Sequence, residues 1–343
     1  MRTIFWGNYK GGVGKTTSTF QVAAHFASNG KKVLLIDLDP QCSLSNICCV
    51  DLNLNLDEIT VDRTFNFLLE LYMREINSDK KFDLSLLTGN SGSLSTPFVR
   101  NSIHKFSNRV YKENLFFIPS SLSYTNCRIN ELAQYMSENI YNVFLVKQFI
   151  DTLKIIANED DEYNFDFVFF DCPPTTNLLT QSVFLASDYY IIPTICDEMS
   201  TKGVPDYIVE IEKTYSKFSM NDRIRGILIN KVFPQKSKFI GVFETLYKNR
   251  AGTPKNYPII ASLDSNICKI TDVTSVLSDN TYAGYRYNSS NNVGLISTNN
   301  IFNESIDHRD ARKTGNSIPR DMANAQINYE YYNLAMAIMK MLR

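Results

Sequence analysis

Ten residues near the start of the chain, Asn8-Tyr9-Lys10-Gly11-Gly12-Val13-Gly14-Lys15-Thr16-Thr17, constrain the fold more than any other stretch. A short apolar run, Thr3-Ile4-Phe5-Trp6, precedes them and has the character of a buried strand. Between Ser18 and Asn29, apolar residues fall at Phe20, Val22, Ala23, Ala24, Phe26 and Ala27, the pattern of a helix packed on a sheet. Strand, glycine loop and helix in this order are the setting of a phosphate-binding loop. The glycines let the backbone turn tightly, so that N–H groups from Gly11 through Val13 to Thr17 can converge on one anion, aided by the helix N-terminus. Lys15 is then placed to reach the β- and γ-phosphates of a nucleotide, and the Thr16 hydroxyl to ligate Mg²⁺.

Further along, Lys32-Val33-Leu34-Leu35-Ile36-Asp37 is a continuous apolar run, as expected of a parallel strand buried on both faces. Pro40 stops it within Asp37-Leu38-Asp39-Pro40-Gln41. Ligands of α/β sheets gather outside the carboxyl ends of strands, so two carboxylates here face the phosphate loop or else form an exposed acidic turn. Residues 64–76 have helical spacing with Asp62 as candidate cap, and residues 88–97 have loop composition. Leu115-Phe116-Phe117-Ile118 is another strand, and residues 139–157 form a core-packing helix. Phe167-Val168-Phe169-Phe170-Asp171 then repeats the pattern of an apolar strand ending in an aspartate, suited to hold the water shell of Mg²⁺. Strands are also expected at 189–194 and 226–231. At the end of the second, Asn230 could hydrogen-bond a base edge or simply close a turn.

Composition narrows the class. The 343 residues are 44% hydrophobic and 21% charged with net charge −1, so nucleic-acid binding must come from a local patch. Such a patch is offered by residues 231–255, where Lys236, Lys238, Lys248 and Arg250 are interleaved with Phe233, Phe239, Phe243 and Tyr247. A solvated surface helix accounts for the same run. Seven cysteines without a C-x-x-C pair and three scattered histidines point to free thiols in a reducing cytoplasm rather than to a zinc or iron–sulfur site. Nothing at the N-terminus resembles a signal peptide, and no apolar run has the length of a membrane span. The expected organisation is a single domain over 1–343, with an irregular insertion at 279–317 where Asn, Ser, Gly and Tyr dominate.

The glycine loop departs from the general G-x-x-x-x-G-K-[ST] pattern: Tyr9 stands where the first glycine should, and a second lysine, Lys10, precedes the glycines. K-G-G-x-G-K-T-T in this form resembles the deviant Walker A loop of the ParA/MinD family of dimerising ATPases, closest to ParA/Soj-type proteins without an N-terminal DNA-reading domain. Asp37 to Gln41, and Asp171-Cys172-Pro173-Pro174, resemble that family's next two motifs in the right order. The resemblance covers most of residues 1–231 and the last helix, 325–343. It implies an α/β fold, a P-loop NTPase with a mostly parallel twisted sheet and helices on both faces. It implies ATP hydrolysis to ADP and phosphate with Mg²⁺, Lys10 reaching the partner subunit's nucleotide, and Asp39 positioning water. Asp37 then serves the metal side with Thr16 and Asp171, and Asn230 the adenine. It further implies an ATP-dependent homodimer on non-specific nucleoid DNA, a ParB-like partner that stimulates hydrolysis, and a role in plasmid or chromosome partition. A MinD-like membrane-associated ATPase, or one positioning a protein cargo, is the alternative; the apolar last helix carries only Lys340 and Arg343, which makes a membrane the weaker partner.

Overall fold

A computed structural model describes residues 1–77, 95–107, 111–122, 127–195, 197–220, 230–245, 249–250, 253–254, 257–267, 269–270, 273 and 325–342. In chain order the elements are β1 (Arg2–Trp6), α1 (Lys15–Ser28), β2 (Val33–Asp37), α2 (Ser43–Leu52), α3 (Phe65–Asn77), α4 (Thr96–Ser102), β3 (His104–Lys105), β4 (Leu115–Ile118), α5 (Ile129–Met136) and α6 (Leu145–Glu159). They continue as β5 (Phe167–Asp171), α7 (Leu178–Ala186), β6 (Tyr189–Thr194), α8 (Ser200–Met220), β7 (Lys238–Glu244), β8 (Asn249–Arg250), β9 (Thr253–Pro254), α9 (Tyr257–Ile267) and α10 (Ala325–Met341).

Seven strands form one sheet in the order β3-β4-β2-β5-β1-β6-β7, parallel throughout except for β3, which runs antiparallel to β4 at one edge. The apolar runs are continuous because each strand is covered on both faces. Leu34, Ile36, Val168 and Phe170 feed one core layer with α3, α5, α6, α7 and α8; Val33, Leu35, Phe167 and Phe169 feed the other with α1, α2 and α10. This is the α/β sandwich expected from the sequence, with helices on both faces.

Three local expectations change. The first turn of α3 is capped by Thr64, whose Oγ1 accepts from the Phe67 N–H (3.4 Å); Asp62 lies in a preceding 3₁₀ turn instead. The end of the loop expected at 88–97 is the start of α4, with Pro97 in its first turn where the missing N–H costs nothing; residues 88–94 lie outside the described residues. The basic stretch 231–255 is not a surface helix, for its middle is β7, paired to β6. Phe239 and Phe243 of β7, and Phe233 ahead of it, are all buried in the core, so these three aromatics serve core packing and not base stacking; Tyr247 lies outside the described residues.

The last helix packs one face on the protein: Tyr331, Leu334, Ala335 and Ile338, with Leu342 just after it, are buried in the layer built on α1. Among the described residues no helix is long and apolar enough to cross a membrane. The insertion expected at 279–317 lies outside the described residues.

One glycine is fixed by space. A Cβ on Gly7, between β1 and the phosphate loop, would sit 2.3 Å from both the Phe5 ring and the Tyr207 hydroxyl. Gly7→Ala should therefore force β1 or α8 to shift and lower stability by about 1–3 kcal/mol, the usual cost of overpacking, read as an earlier midpoint in urea. An unmoved midpoint would show that the contact relaxes freely.

Candidate active site

The site forms because three strands end in line. Trp6 of β1 and Asp37 of β2 both pair with Asp171 of β5, so the phosphate loop and both carboxylates leave the sheet on the same edge. The loop turns through Gly12 and Gly14 at φ +72° and +76°, the left-handed region that L side chains rarely adopt. Gly14 caps α1, and its carbonyl accepts from the Ser18 N–H (3.0 Å) and Oγ (2.6 Å). The first backbone N–H groups of α1 are thus presented at the loop, the arrangement that binds anions. Gly11 has open space where its Cβ would be.

Lys15 is 6% exposed, and its Nζ donates to the Lys10 carbonyl (3.3 Å). Burial lowers its pKa, while the charges of Asp171 and Asp39 oppose that shift. Asp171 is fully buried. Its Oδ1 accepts a long hydrogen bond from Thr19 Oγ1 (3.4 Å), and its Oδ2 has no hydrogen-bond partner among the described residues. Burial first, and then the charge of Asp37, raise its pKa; the Thr16 hydroxyl and Lys15 work against them. A buried carboxylate oxygen without a donor, next to a threonine hydroxyl, fits the needs of a bound cation. No group of three or more His, Cys, Asp or Glu among the described residues is arranged to hold a metal. That donor set suits Mg²⁺, which takes one or two protein ligands and completes its shell with phosphate and water.

Asp37 is placed as a buttress. Its Oδ1 accepts from the Asp39 N–H (3.0 Å), and its Oδ2 from the N–H and Oγ of Ser45 (both 2.8 Å). Burial raises its pKa, and these hydrogen bonds hold the rise down. With three donors already on its oxygens, Asp37 shapes the turn that carries Asp39 more directly than it could coordinate a metal. Asp39 itself is part-exposed at the rim, with Oδ1 accepting from the Gln41 N–H (2.9 Å). Cys172, next to Asp171, is buried, and burial raises its thiol far above the ordinary value, which leaves it unreactive.

Lys10 stands at the mouth of the loop, ion-paired with Asp197 of its own chain. Its backbone N–H donates to Asn8 Oδ1 (3.0 Å), and Asn8 Nδ2 donates to the Pro193 carbonyl of β6 (2.7 Å). Just after β7, Thr245 Oγ1 donates to the Val13 carbonyl (2.6 Å). Asn8, Ser45, Asp197 and Thr245 were not singled out from sequence. Asn8 stood inside the loop motif. Asp197 had the weak signal of an aspartate three residues ahead of a helix.

Other expected residues do not join this cluster. Asn230 is exposed in a helical turn at 230–232, where its Oδ1 accepts from Tyr215 Oη (3.3 Å). The strand expected at 226–231 therefore does not include it, and 226–229 lie outside the described residues. Lys236 pairs with the buried Glu212 of α8, which draws it toward its own protein rather than toward a phosphate. Lys238 opens β7 and Arg250 lies in β8; Lys248 lies outside the described residues.

Residues 1–225 match a family model described as "AAA domain". The chromosome-partitioning ATPase Soj of Treponema pallidum is 26% identical over 257 residues, covering 71% of this chain and 82% of that protein. A virulence plasmid ParA family protein of Chlamydia psittaci is 28% identical over 254 residues, covering 73% and 78%. Among solved structures, apo McdA of Cyanothece aligns over 100% of both chains with a TM-score of 0.59 at 17% identity. An ATP complex of a McdA variant gives 0.60 at 17% identity over 98% of this chain and 96% of the other. At that identity the two structures speak to the fold. With the family match over well more than half of its length and the Lys10–Thr17 loop on the aligned strand ends, the chain belongs to the ParA/MinD family of P-loop ATPases.

Proposed function

We propose that the protein is an Mg²⁺-dependent ATPase of the partition type, an ATP-gated dimer that binds DNA without sequence preference. In this reading it works on the nucleoid in the cytoplasm, and a ParB-like centromere-binding partner triggers hydrolysis and release. The observation that carries the reading is the convergence of Lys15, Thr16 and Asp171 on one sheet edge, with Asp39 and a second lysine, Lys10, at its rim.

Lys15 and the N–H groups at the start of α1 stabilise charge on the transferring γ-phosphoryl group. Thr16 and Asp171 hold Mg²⁺, which neutralises phosphate charge when bound. Asp39, set by the Asp37–Ser45 buttress, orients the attacking water. The loop of one subunit lacks a cation opposite the leaving group, and Lys10 of the other subunit supplies it. Hydrolysis is then tied to dimerisation. Engagement of α10 with α1 favours DNA over a membrane as the surface, because Tyr331, Leu334, Ala335 and Ile338 of that helix are already buried against the protein.

The test is binding to a random-sequence duplex with ATP and with ADP at two salt concentrations. Binding only with ATP, weakening steeply with salt, is the expected result. Equal binding in both nucleotides, or none, would overturn the DNA reading and turn attention to a protein cargo. Asp39→Ala should retain ATP, lose about 100-fold in turnover and accumulate as dimer on size exclusion with ATP. A variant that hydrolyses normally would remove Asp39 from the mechanism.

A further inference from the structure

The side chain of Lys10 is occupied within its own subunit. Its ammonium pairs with Asp197 Oδ2, both residues being about one third exposed (32% and 39%). Asp197 is a fixed partner. Its Oδ1 accepts from the N–H (2.9 Å) and Oγ (2.8 Å) of Ser200, the first residue of α8. Burial works to raise the Asp197 carboxyl, but Lys10 and the Ser200 hydrogen bonds prevail and hold it below the ordinary range. The backbone of Lys10 is fixed as well, through Asn8 to the end of β6. The loop is therefore joined at two points to the stretch from the end of β6 to the start of α8, one by hydrogen bonds and one by charge.

An ammonium held on Asp197 cannot at the same time sit on the nucleotide of a second subunit. We propose that Asp197 is a positioning residue that parks Lys10 in cis and thereby sets the protein concentration at which ATP drives dimerisation. The inference rests on the trans-acting role of Lys10 proposed above. A part-exposed ion pair biases an equilibrium by about two- to fivefold. Two such pairs must open for each dimer, so the factor is squared, to about 4- to 25-fold in the dimer dissociation constant. A contact of that strength delays pairing without preventing it. Salt should weaken the contact, because both groups are reached by solvent.

Asp197→Asn separates the two duties of this side chain, because asparagine keeps an oxygen for Ser200 while losing the charge that holds Lys10. The experiment is sedimentation equilibrium of the full chain with Mg²⁺ and a non-hydrolysable ATP analogue, for wild type, Asp197→Asn, Asp197→Glu and Ser200→Ala. Asp197→Asn should dimerise at about 4- to 25-fold lower concentration. Asp197→Glu should stay near wild type, and Ser200→Ala should move little. Raising the salt should close the gap between wild type and Asp197→Asn. In a Lys10→Ala background Asp197→Asn should have no further effect, a coupling that a merely structural role would not produce. An Asp197→Asn curve that coincides with wild type, or lies at higher concentration, would overturn the latch alone, as would an equal shift in the Lys10→Ala background. Wild type that stays monomeric with the analogue would overturn the dimer reading and the latch with it.

Discussion

Lys15→Ala should lose about 100-fold or more in ATP affinity, measured by isothermal titration with Mg²⁺, while its circular dichroism stays that of the wild type. The size follows from two contributions in the same direction. The ammonium forms charge-assisted hydrogen bonds to phosphate, each worth about 1.5–3 kcal/mol where water is excluded. The charges of Asp171 and Asp39 also act on this ammonium, so its removal leaves more negative charge facing an anionic ligand. Lys15→Arg should not rescue binding, since a planar guanidinium does not fit a site shaped for a compact ammonium. Normal ATP affinity in Lys15→Ala would refute the phosphate-loop assignment.

Asp171→Asn should part stability from function. The carboxyl of Asp171 is raised by burial and by Asp37, a balance in which the attraction of Lys15 is already included. A carboxyl whose folded pKa lies above its unfolded value of about 4 contributes stability that is present below that value and lost as pH rises through the folded pKa. Replacing it with a neutral isostere removes that loss. Nucleotide-free Asp171→Asn should therefore melt about 2–6 °C higher than wild type near pH 8, with the difference vanishing near pH 4. Its Mg²⁺-supported ATP turnover should fall about 100-fold, because the oxygen left without a donor is the one suited to the cation. A lower melting temperature at pH 8 would mean that Asp171 is better paired than its surroundings suggest.

The sheet was readable from β1, β2, β4, β5 and β6 because a strand buried on both faces leaves an unbroken apolar run. β7 was obscured by its own flanks. Lysines at 231, 236 and 238 give the segment a basic surface character, while Phe239, Ile240, Val242 and Phe243 directly after them are core. Lys15, Asp39 and Asp171 stand at fixed distances from a glycine turn or a strand end, which a sequence displays directly. The residues that aim them do not. Asn8 meets Pro193, Lys10 meets Asp197 and Thr245 meets Val13 across separations of 185, 187 and 232 residues. Nothing local in the sequence records such pairings, since they exist only once parallel strands distant in the chain have come together. Thr64 displaced Asp62 as a cap for a nearer reason: a 3₁₀ turn occupies 61–63 and delays the start of α3.

Packing of α10 against α1 has a consequence for how the protein is made. Ser18, one turn into the helix behind the phosphate loop, lies 3.5 Å from the Tyr331 hydroxyl, 313 residues later. At about 5–20 residues per second, a ribosome needs roughly 15–60 s to travel from one to the other. Once β5, β6 and β7 have been made, the nascent chain holds the parts that surround the nucleotide loop, while the helix behind that loop still lacks the cover of α10. The helix behind the loop is thus among the first elements to be made and the last to be covered.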